Sequence, residues 1–474
     1  MAYTFLFDSS YCTGCKACQA ACKDKNNLPA GVLWRRVIEV SGGEWAQNGG
    51  AWSNTVFAYN LSIACNHCVH PKCAGVCPTN AYHVREDGIV LLDSSKCVGC
   101  GYCNWACPYA VPQYSPASGL MSKCNFCCDS IDAGQPPACV AACPLRVLDM
   151  VEVESKKNEL AGISLWEVPG SEHPFPLPIY SRTQPHIHLN LHPGMLNNLE
   201  KQVANRKEIK PQSPKSEVPL VAFSLLIQMA VGAFWTSQWL FSPLRALISP
   251  DSTRLHLVPS LLVGLCLALG LLIAFAHLGA KRNAWRMLSN LHKSWLSKEI
   301  LFLGLFGAGW LLTLFIPSVL PGFLTSLLGL GLIYSMTNIY QLRSMAVWNS
   351  WRTLASFLIS ALLMGQFLLI PVLLIETYLK GILPPLVILV WINCFSAVLL
   401  VGELAFMFSR GKTDEPHARL RVALIQVIIL GLACVPILPQ AWQLSFTIII
   451  LLLLIAEESL GRWWFYDQLG RRIL

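Results

Sequence analysis

The sequence predicts an α+β cysteine-rich domain followed by an all-α polytopic membrane bundle of eight helices. Three observations predict it. Seventeen of the twenty cysteines lie between Cys12 and Cys143. Beyond residue 217, apolar runs long enough to cross a bilayer follow one another. Between the two, Glu154–Ser216 is polar and interrupted by Pro169, Pro174, Pro176, Pro178, Pro185 and "KPQSPKSEVP", so it reads as a covering segment followed by a linker. With 54% of its 474 residues hydrophobic and 13% charged, the chain is too apolar for an ordinary soluble enzyme. The expected boundaries are 1–190, 191–216 for the linker, and 217–474.

The cysteine-rich part repeats a phrase, "DSSYCTGCKAC" at Asp8–Cys18 and "DSSKCVGCGYC" at Asp93–Cys103. Its start, "MAYTFLFDSS", has no basic region, apolar core or twin arginine. A reducing compartment is therefore expected, with cysteines acting as metal ligands rather than disulfides. Spacing separates zinc from iron–sulfur. Cys12, Cys15, Cys18 and Cys22 are spaced C-x2-C-x2-C-x3-C, as are Cys97, Cys100, Cys103 and Cys107, where Pro108 adds the terminal proline of bacterial ferredoxins. Two further groups end alike: Cys65, Cys68, Cys73, Cys77 with Pro78, and Cys124, Cys127, Cys139, Cys143 with Pro144.

These sixteen positions suit four 4Fe-4S clusters. In such runs three thiolates hold one cube and the fourth reaches a second, so ligation crosses between groups. Chain order pairs the outer groups and the inner ones. The expected sets are Cys12, Cys15, Cys18 with Cys143; Cys124, Cys127, Cys139 with Cys22; Cys65, Cys68, Cys73 with Cys107; and Cys97, Cys100, Cys103 with Cys77. Cys128 is an alternative to Cys127, though C-x2-C from Cys124 favours Cys127 and leaves Cys128 a buried thiol. Cys266, Cys394 and Cys434, single in apolar runs, read as packing residues. Four one-electron centres without an open substrate position conduct electrons and do not catalyse.

The stretches "DSSYCTGCKACQAACKDKNNL", "CNHCVHPKCAGVCPTNAYH", "CVGCGYCNWACPYAVPQY" and "KCNFCCDSIDAGQPPACVAACPLRVLDM" resemble the electron-transfer subunit of the dimethyl sulfoxide reductase family of molybdoenzymes over Ala2–Val153. The resemblance implies a double bacterial-ferredoxin-like domain, and with all sixteen positions cysteine it implies no three-iron cluster.

The apolar runs are Pro219–Phe241, Leu255–His277, Glu299–Val319, Phe323–Leu342, Thr353–Leu379, Pro384–Phe408, Leu420–Pro436 and Trp442–Leu460. Eight spans put both ends on one side. On that side lie Lys201, Arg206, Lys207, Lys210, Lys215, Lys281, Arg282, Arg286, Lys293, Lys298, Arg343, Arg352, Arg410, Lys412, Arg419, Arg421, Arg462, Arg471 and Arg472; the opposite loops hold Arg245, Arg254 and Lys380. That bias predicts an inner-membrane protein with its cysteine domain in the cytoplasm. The net charge of +8 is thus topological, and no nucleic-acid motif accompanies it.

His277 ends the second run and Glu299 opens the third, flanking the basic loop "LGAKRNAWRMLSNLHKSWLSK". In that loop Trp285, Leu288, His292 and Trp295 share a helical face, which suggests a short interfacial helix. Glu299 suits a helix N-terminus and His277 a membrane interface, so each has a purely structural reading. Together they also suit a quinone site, where two electrons couple to two protons and need an imidazole and a carboxylate.

"AFAHLGAKRNAWRMLSNLHKSWLSKEI", "SLLIQMAVGAFW" and "AEESLGRWWFYDQLG" resemble the eight-helix anchor subunit of the same reductase family. That resemblance implies that His277 and Glu299 bind menaquinone or ubiquinone, with Arg343, Glu403, Glu458 and Arg462 weaker candidates. No haem is expected, since paired intramembrane histidines are lacking.

Two subunits are fused here, which departs from the family. Relatives exported on a twin-arginine partner face outward, whereas the related sulfite dehydrogenases of sulfur oxidisers face the cytoplasm and fit the charge bias. No molybdenum site or nucleotide fingerprint is present, so molybdopterin is expected only in a partner catalytic subunit. The chain would carry the quinone half-reaction in sulfite oxidation or S-/N-oxide reduction. The alternative is a self-contained quinone oxidoreductase fed by a soluble donor.

Overall fold

The computed structural model describes residues 2–42, 45–153, 182–190, 192, 202–204, 218–241, 257–316, 318–345, 348–379, 386–408 and 416–467. They divide into two compact units. One holds the cysteine-rich strands and loops together with Leu278–Ser294; the other holds the long helices.

The first unit is α+β. Strand β1 (Ala2–Asp8) lies between β10 (Leu148–Val153, antiparallel) and β11 (Ile187–Asn190, parallel). Its alternating Phe5 and Phe7 enter the core, where Phe5 stacks on Phe126 at 4.1 Å. A second sheet pairs β2 (Arg36–Gly42) with β5 (Phe57–Ile63), and β12 (Gln202–Ala204) adds to the other edge of β2. The expected linker therefore contributes a strand to this unit, and its His192 stacks on Tyr59; the rest of it lies outside the described residues. Three hairpins complete the strands: β3 (Trp45–Asn48) with β4 (Ala51–Asn54), β6 (Tyr82–Val84) with β7 (Val90–Leu92), and β8 (Gln113–Ser115) with β9 (Leu120–Ser122). Between them sit short helices α1 (Ala17–Lys25), α2 (Lys72–Val76), α3 (Tyr102–Ala106), α4 (Cys128–Asp132) and α5 (Ala138–Ala141).

The second unit is all-helical. Its long helices are α6 (Val218–Trp235, continuing as a π-helix over Thr236–Phe241), α7 (Leu257–His277), α8 (Trp295–Phe315), α9 (Val319–Tyr340), α10 (Trp351–Leu379), α11 (Leu386–Phe408), α12 (Pro416–Cys434) and α13 (Gln440–Asp467). All eight are long and apolar enough to cross a membrane. Burial of 61% and 67% in the first and fifth spans, against 22–39% in the others, makes α6 and α10 the centre of the bundle.

Those two helices meet backbone to backbone. A Cβ on Gly232 would stand 1.7 Å from the Ala361 carbonyl oxygen, and one on Gly365 would stand 2.1 Å from the Gly232 carbonyl carbon. Small residues at such a crossing replace the hydrophobic drive that lipid removes. Gly365→Ala is expected to cost about 1–3 kcal/mol or more by forcing the helices apart. Reversible unfolding in mixed detergent would measure it, and an unchanged midpoint would refute the contact.

Several expectations change here. The third helix starts at Trp295, so Glu299 sits a full turn inside it and the first turn has no acidic residue. Arg421 and Arg462 lie inside α12 and α13 with carboxylate and amide partners, so they are not loop charges. The basic count on that side falls from nineteen to seventeen against three. Of these residues, Lys201, Arg206, Lys207, Lys210, Lys215, Arg245, Arg254, Lys380, Arg410, Lys412, Arg471 and Arg472 lie outside the described residues. Cys266 is buried, but Cys394 and Cys434 are exposed on their helices, so only Cys266 packs internally. Cys128 is half-buried at the start of α4.

Candidate functional site

Each C-x2-C turn is built the same way. The residue just before its second cysteine has a left-handed backbone: Gly14 at φ 68°, His67 at 41°, Gly99 at 72° and Phe126 at 62°. This bend turns successive amides inward. Gly99 N–H donates to Cys97 Sγ and Phe126 N–H to Cys124 Sγ, both at 3.4 Å. Each C-P ending has a second such residue three positions after its cysteine, Asn80, Ala110 and Arg146, at φ 49°, 48° and 55°.

The short helices separate the sets. Cys18 and Cys22 are four apart on α1, while Cys73, Cys103 and Cys139 lie in the first turns of α2, α3 and α5 and Cys77, Cys107 and Cys143 follow their ends. One helical turn therefore carries the chain from one thiol set to the next. Cys12, Cys15, Cys18 and Cys143 line one cavity, and Cys65, Cys68, Cys73 and Cys107 another. Cys22 faces Cys139, Cys127 and Cys124. Cys77 faces Cys97, Cys100 and Cys103. Cys127 neighbours Cys139.

The sets also form a row. Cys18 of the first approaches Cys139 of the set holding Cys22. Cys124 of that set approaches Cys65 of the next. Cys73 then shares a buried cluster with Cys77, Cys97 and Cys103. Burial pushes the Cys22 thiol up to about 11 and that of Cys100 up to about 12. Thiols this costly to ionise alone, with amides aimed at sulfur, suit a metal centre that supplies positive charge.

Of the buried cations described in this unit, Arg35 and Lys123 lie beside the thiols, and spacing gave no sign of either. Arg35, 1% exposed, lies over the Phe5 ring at 4.5 Å, within electrostatic reach of Cys139, Cys124, Cys18 and Cys22. Its Nη1 donates to Ser62 Oγ at 3.2 Å, and Ser62 Oγ is 3.3 Å from Cys18 Sγ. Lys123 lines the cavity of Cys65, Cys68, Cys73 and Cys107 and donates to the carbonyls of Val90 and Cys124.

Leu278–Ser294 is not a continuous amphipathic helix. A 3-10 helix spans Lys281–Leu288, His292 lies in a turn, and Trp295 opens α8. Trp285 is 70% exposed. The anchors of the segment are polar groups that seek backbone carbonyls. Asn283 Nδ2 donates to the carbonyls of Ser95 and Cys97, each at 2.9 Å, and Asn290 Nδ2 to that of Cys77 at 2.9 Å. Ser294 Oγ donates to the Val76 carbonyl at 2.8 Å, and Ala280 N–H to that of Val98 at 3.1 Å. Gly279 makes the closest approach, where a Cβ would stand 1.7 Å from the Gly119 carbonyl oxygen. The segment is thus clamped on the loops that carry Cys77 and Cys97.

His277 and Glu299 are both buried, at the same end of helices α7 and α8. Trp310 of α8 donates to the Ser260 carbonyl of α7 at 3.2 Å and packs on Gly264. That antiparallel register sets His277 level with the first turn of α8. Glu299 lies deeper, beyond the stretch where the helix dipole favours a carboxylate. Arg343 lies in the turn after α9, while Glu403, Glu458 and Arg462 belong to a separate group among the later helices.

Residues 56–153 match the 4Fe-4S dicluster domain family, and residues 212–468 match the DMSO reductase anchor subunit (DmsC) family. The sequence is 43% identical over 212 residues to one subunit of the anaerobic dimethyl sulfoxide reductase of Escherichia coli (strain K12), covering 44% of this chain and 98% of that protein. It is 42% identical over 147 residues to the thiosulfate reductase electron transfer subunit PhsB of Salmonella typhi, 31% of this chain and 73% of that one. With the formate dehydrogenase iron-sulfur subunit of Wolinella succinogenes it shares 38% over 167 residues, 30% of this chain and 78% of the relative. The row of buried cysteine sets and the eight apolar helices thus belong to one member of the dimethyl sulfoxide reductase family, an electron-transfer iron–sulfur subunit continuous with a multi-pass membrane anchor of the DMSO reductase anchor subunit family.

Proposed function

We propose that the chain relays electrons through four 4Fe-4S clusters between a molybdopterin-containing catalytic subunit and membrane quinone. The cluster ligands are Cys12, Cys15, Cys18 and Cys143; Cys22, Cys124, Cys127 and Cys139; Cys65, Cys68, Cys73 and Cys107; and Cys77, Cys97, Cys100 and Cys103. The observation that carries this reading is the row of cysteine sets, with Leu278–Ser294 hydrogen-bonded to its last member. That segment leads in sequence from His277 to Glu299. The buried imidazole and carboxylate supply the two groups that proton-coupled quinone chemistry needs. Seventeen basic residues against three favour a cytoplasmic cysteine domain, and the sulfite dehydrogenase type fits that side.

Affinity purification of the tagged chain in mild detergent, with partner identification and iron and molybdenum analysis, tests the assembly. A co-purifying large subunit with stoichiometric molybdenum is expected. Four clusters without molybdenum or partner would favour a self-contained quinone oxidoreductase. For the quinone site, His277→Ala and Glu299→Gln are each expected to lower quinone-linked turnover by roughly 10²-fold or more, with iron content unchanged. Turnover surviving both changes would move the site elsewhere.

A further inference from the structure

A second group of buried charges lies among the later helices. Glu403 on α11 and Glu457 and Glu458 on α13 each place an oxygen within 4.8 Å of the others, and they are 4%, 0% and 2% exposed. Arg421 of α12 bridges two of them, with Nη2 2.7 Å from Glu403 Oε1 and 2.5 Å from Glu457 Oε1. A second guanidinium, Arg462, follows Glu458 by one turn. Its Nη2 donates to Gln228 Oε1 of α6 at 3.0 Å and to Ser360 Oγ of α10 at 3.3 Å, and it lies over the Phe357 ring at 3.7 Å.

Each carboxylate keeps one oxygen without a hydrogen bond, Glu403 Oε2, Glu457 Oε2 and Glu458 Oε1, as does Arg462 Nε. Of the three, Glu458 lines a cavity of about 50 Å³, together with Arg462, Thr353, Ser356 and Arg421. That space admits a water molecule or two.

Charge counting defines the ligand. The groups facing one another are Glu403 from α11, Arg421 from α12, and Glu457, Glu458 and Arg462 from α13; α6 and α10 contribute the neutral Gln228, Ser360 and Phe357. Three carboxylates against two guanidiniums leave one negative charge uncompensated inside an apolar bundle. Carboxylates this close do not all ionise. A metal cation suits the place poorly, because the Arg421 guanidinium already bridges Oε1 of Glu403 and Oε1 of Glu457 and its charge would repel a second cation.

We propose that Glu403, Glu457 and Glu458, with Arg421 and Arg462, form a proton-binding site that holds one exchangeable proton, taken up and released at Glu458 through the adjoining cavity. The carboxyl O–H breaks to a water in that cavity and re-forms from it, with no change in oxidation state. The cavity lies where α10 begins and α13 approaches its end, so exchange runs to that face of the bundle. The inference does not depend on the quinone reading.

Infrared difference spectroscopy of the full chain, with its clusters, tests it in H2O and D2O near neutral pH. A protonated-carboxyl C=O band that shifts in D2O is expected. It should vanish in Glu458→Gln, move in Glu458→Asp, and persist in Glu299→Gln and Glu376→Gln, which remove the other buried carboxyls among the described residues. Proton uptake after a pH jump is expected to fall by one per chain in Glu458→Gln. If that variant does not accumulate, Glu403→Gln, which removes the surplus carboxylate, is expected to abolish the band instead. A band unchanged in Glu403→Gln, Glu457→Gln and Glu458→Gln overturns the proposal, as does loss of the wild-type band on adding sodium or potassium chloride, the sign of a metal cation at the site.

Discussion

Arg35→Met is expected to lower the midpoint potentials of the clusters assigned to Cys12, Cys15, Cys18, Cys143 and to Cys22, Cys124, Cys127, Cys139. The guanidinium is fully buried between thiols of both sets. Adding an electron makes a cluster more negative, so a fixed cation beside it stabilises the reduced form. A unit charge about 7 Å away in an effective dielectric of about 20 is worth roughly 2 kcal/mol, on the order of 100 mV for one electron. Methionine fills similar volume without charge. Redox titration followed by electron paramagnetic resonance would resolve the two affected centres from the other two, which are expected to move little. Arg35→Lys keeps the charge but loses the fork that reaches Ser62, so it should fall between. Four unchanged potentials in Arg35→Met would mean that the charge is compensated elsewhere.

That residue shows where sequence reading ends. Cysteine spacing is legible because one metal centre constrains several positions at once, and long apolar runs are legible because the bilayer sets their length. Arg35 and Lys123 belong to no pattern; their role comes from β2 and the loops folding them inward. Trp285 and Leu288 share a short helix as their spacing suggested, but it is a 3-10 helix that stops before His292 and Trp295; the hydrogen bonds of Asn283 and Asn290 to the carbonyls of Cys97 and Cys77 had no sign in the spacing. Arg421 looked like a loop charge because it sits at the very start of its apolar run, Leu420–Pro436, and Arg462 because the last run, Trp442–Leu460, ends before it. The helices continue through both, since each finds buried partners. The tandem Glu457-Glu458 inside "LLLLIAEESLGRWW" was the available sign of that group, and its meaning needed Glu403 and Arg421 from two other helices.

Gly279→Ala is expected to uncouple the clusters from quinone while leaving them assembled. The added Cβ would stand 1.7 Å from the Gly119 carbonyl oxygen, and both partners are backbone, so neither can rotate away. The segment must retreat by more than about 1 Å, a displacement that at a reacting group costs on the order of 10²-fold in rate. Its hydrogen bonds through Ala280, Asn283 and Asn290 to the loops of Cys97 and Cys77 would loosen with it. Gly99→Ala is a different lesion: it combines φ 72° with a Cβ 2.2 Å from the same oxygen, and it should lose the cluster itself. Gly119→Ala meets the Gly279 carbonyl oxygen at 3.0 Å, a looser contact than that of Gly279→Ala, but it adds the strain of a side chain at φ 70°. Stopped-flow oxidation of the reduced clusters separates these cases. In Gly279→Ala, oxidation by a soluble dye should keep its wild-type rate while oxidation by quinone slows, and hydrogen exchange should rise over Leu278–Ser294. Equal quinone rates in wild type and Gly279→Ala would show that electrons leave the row of clusters by another route.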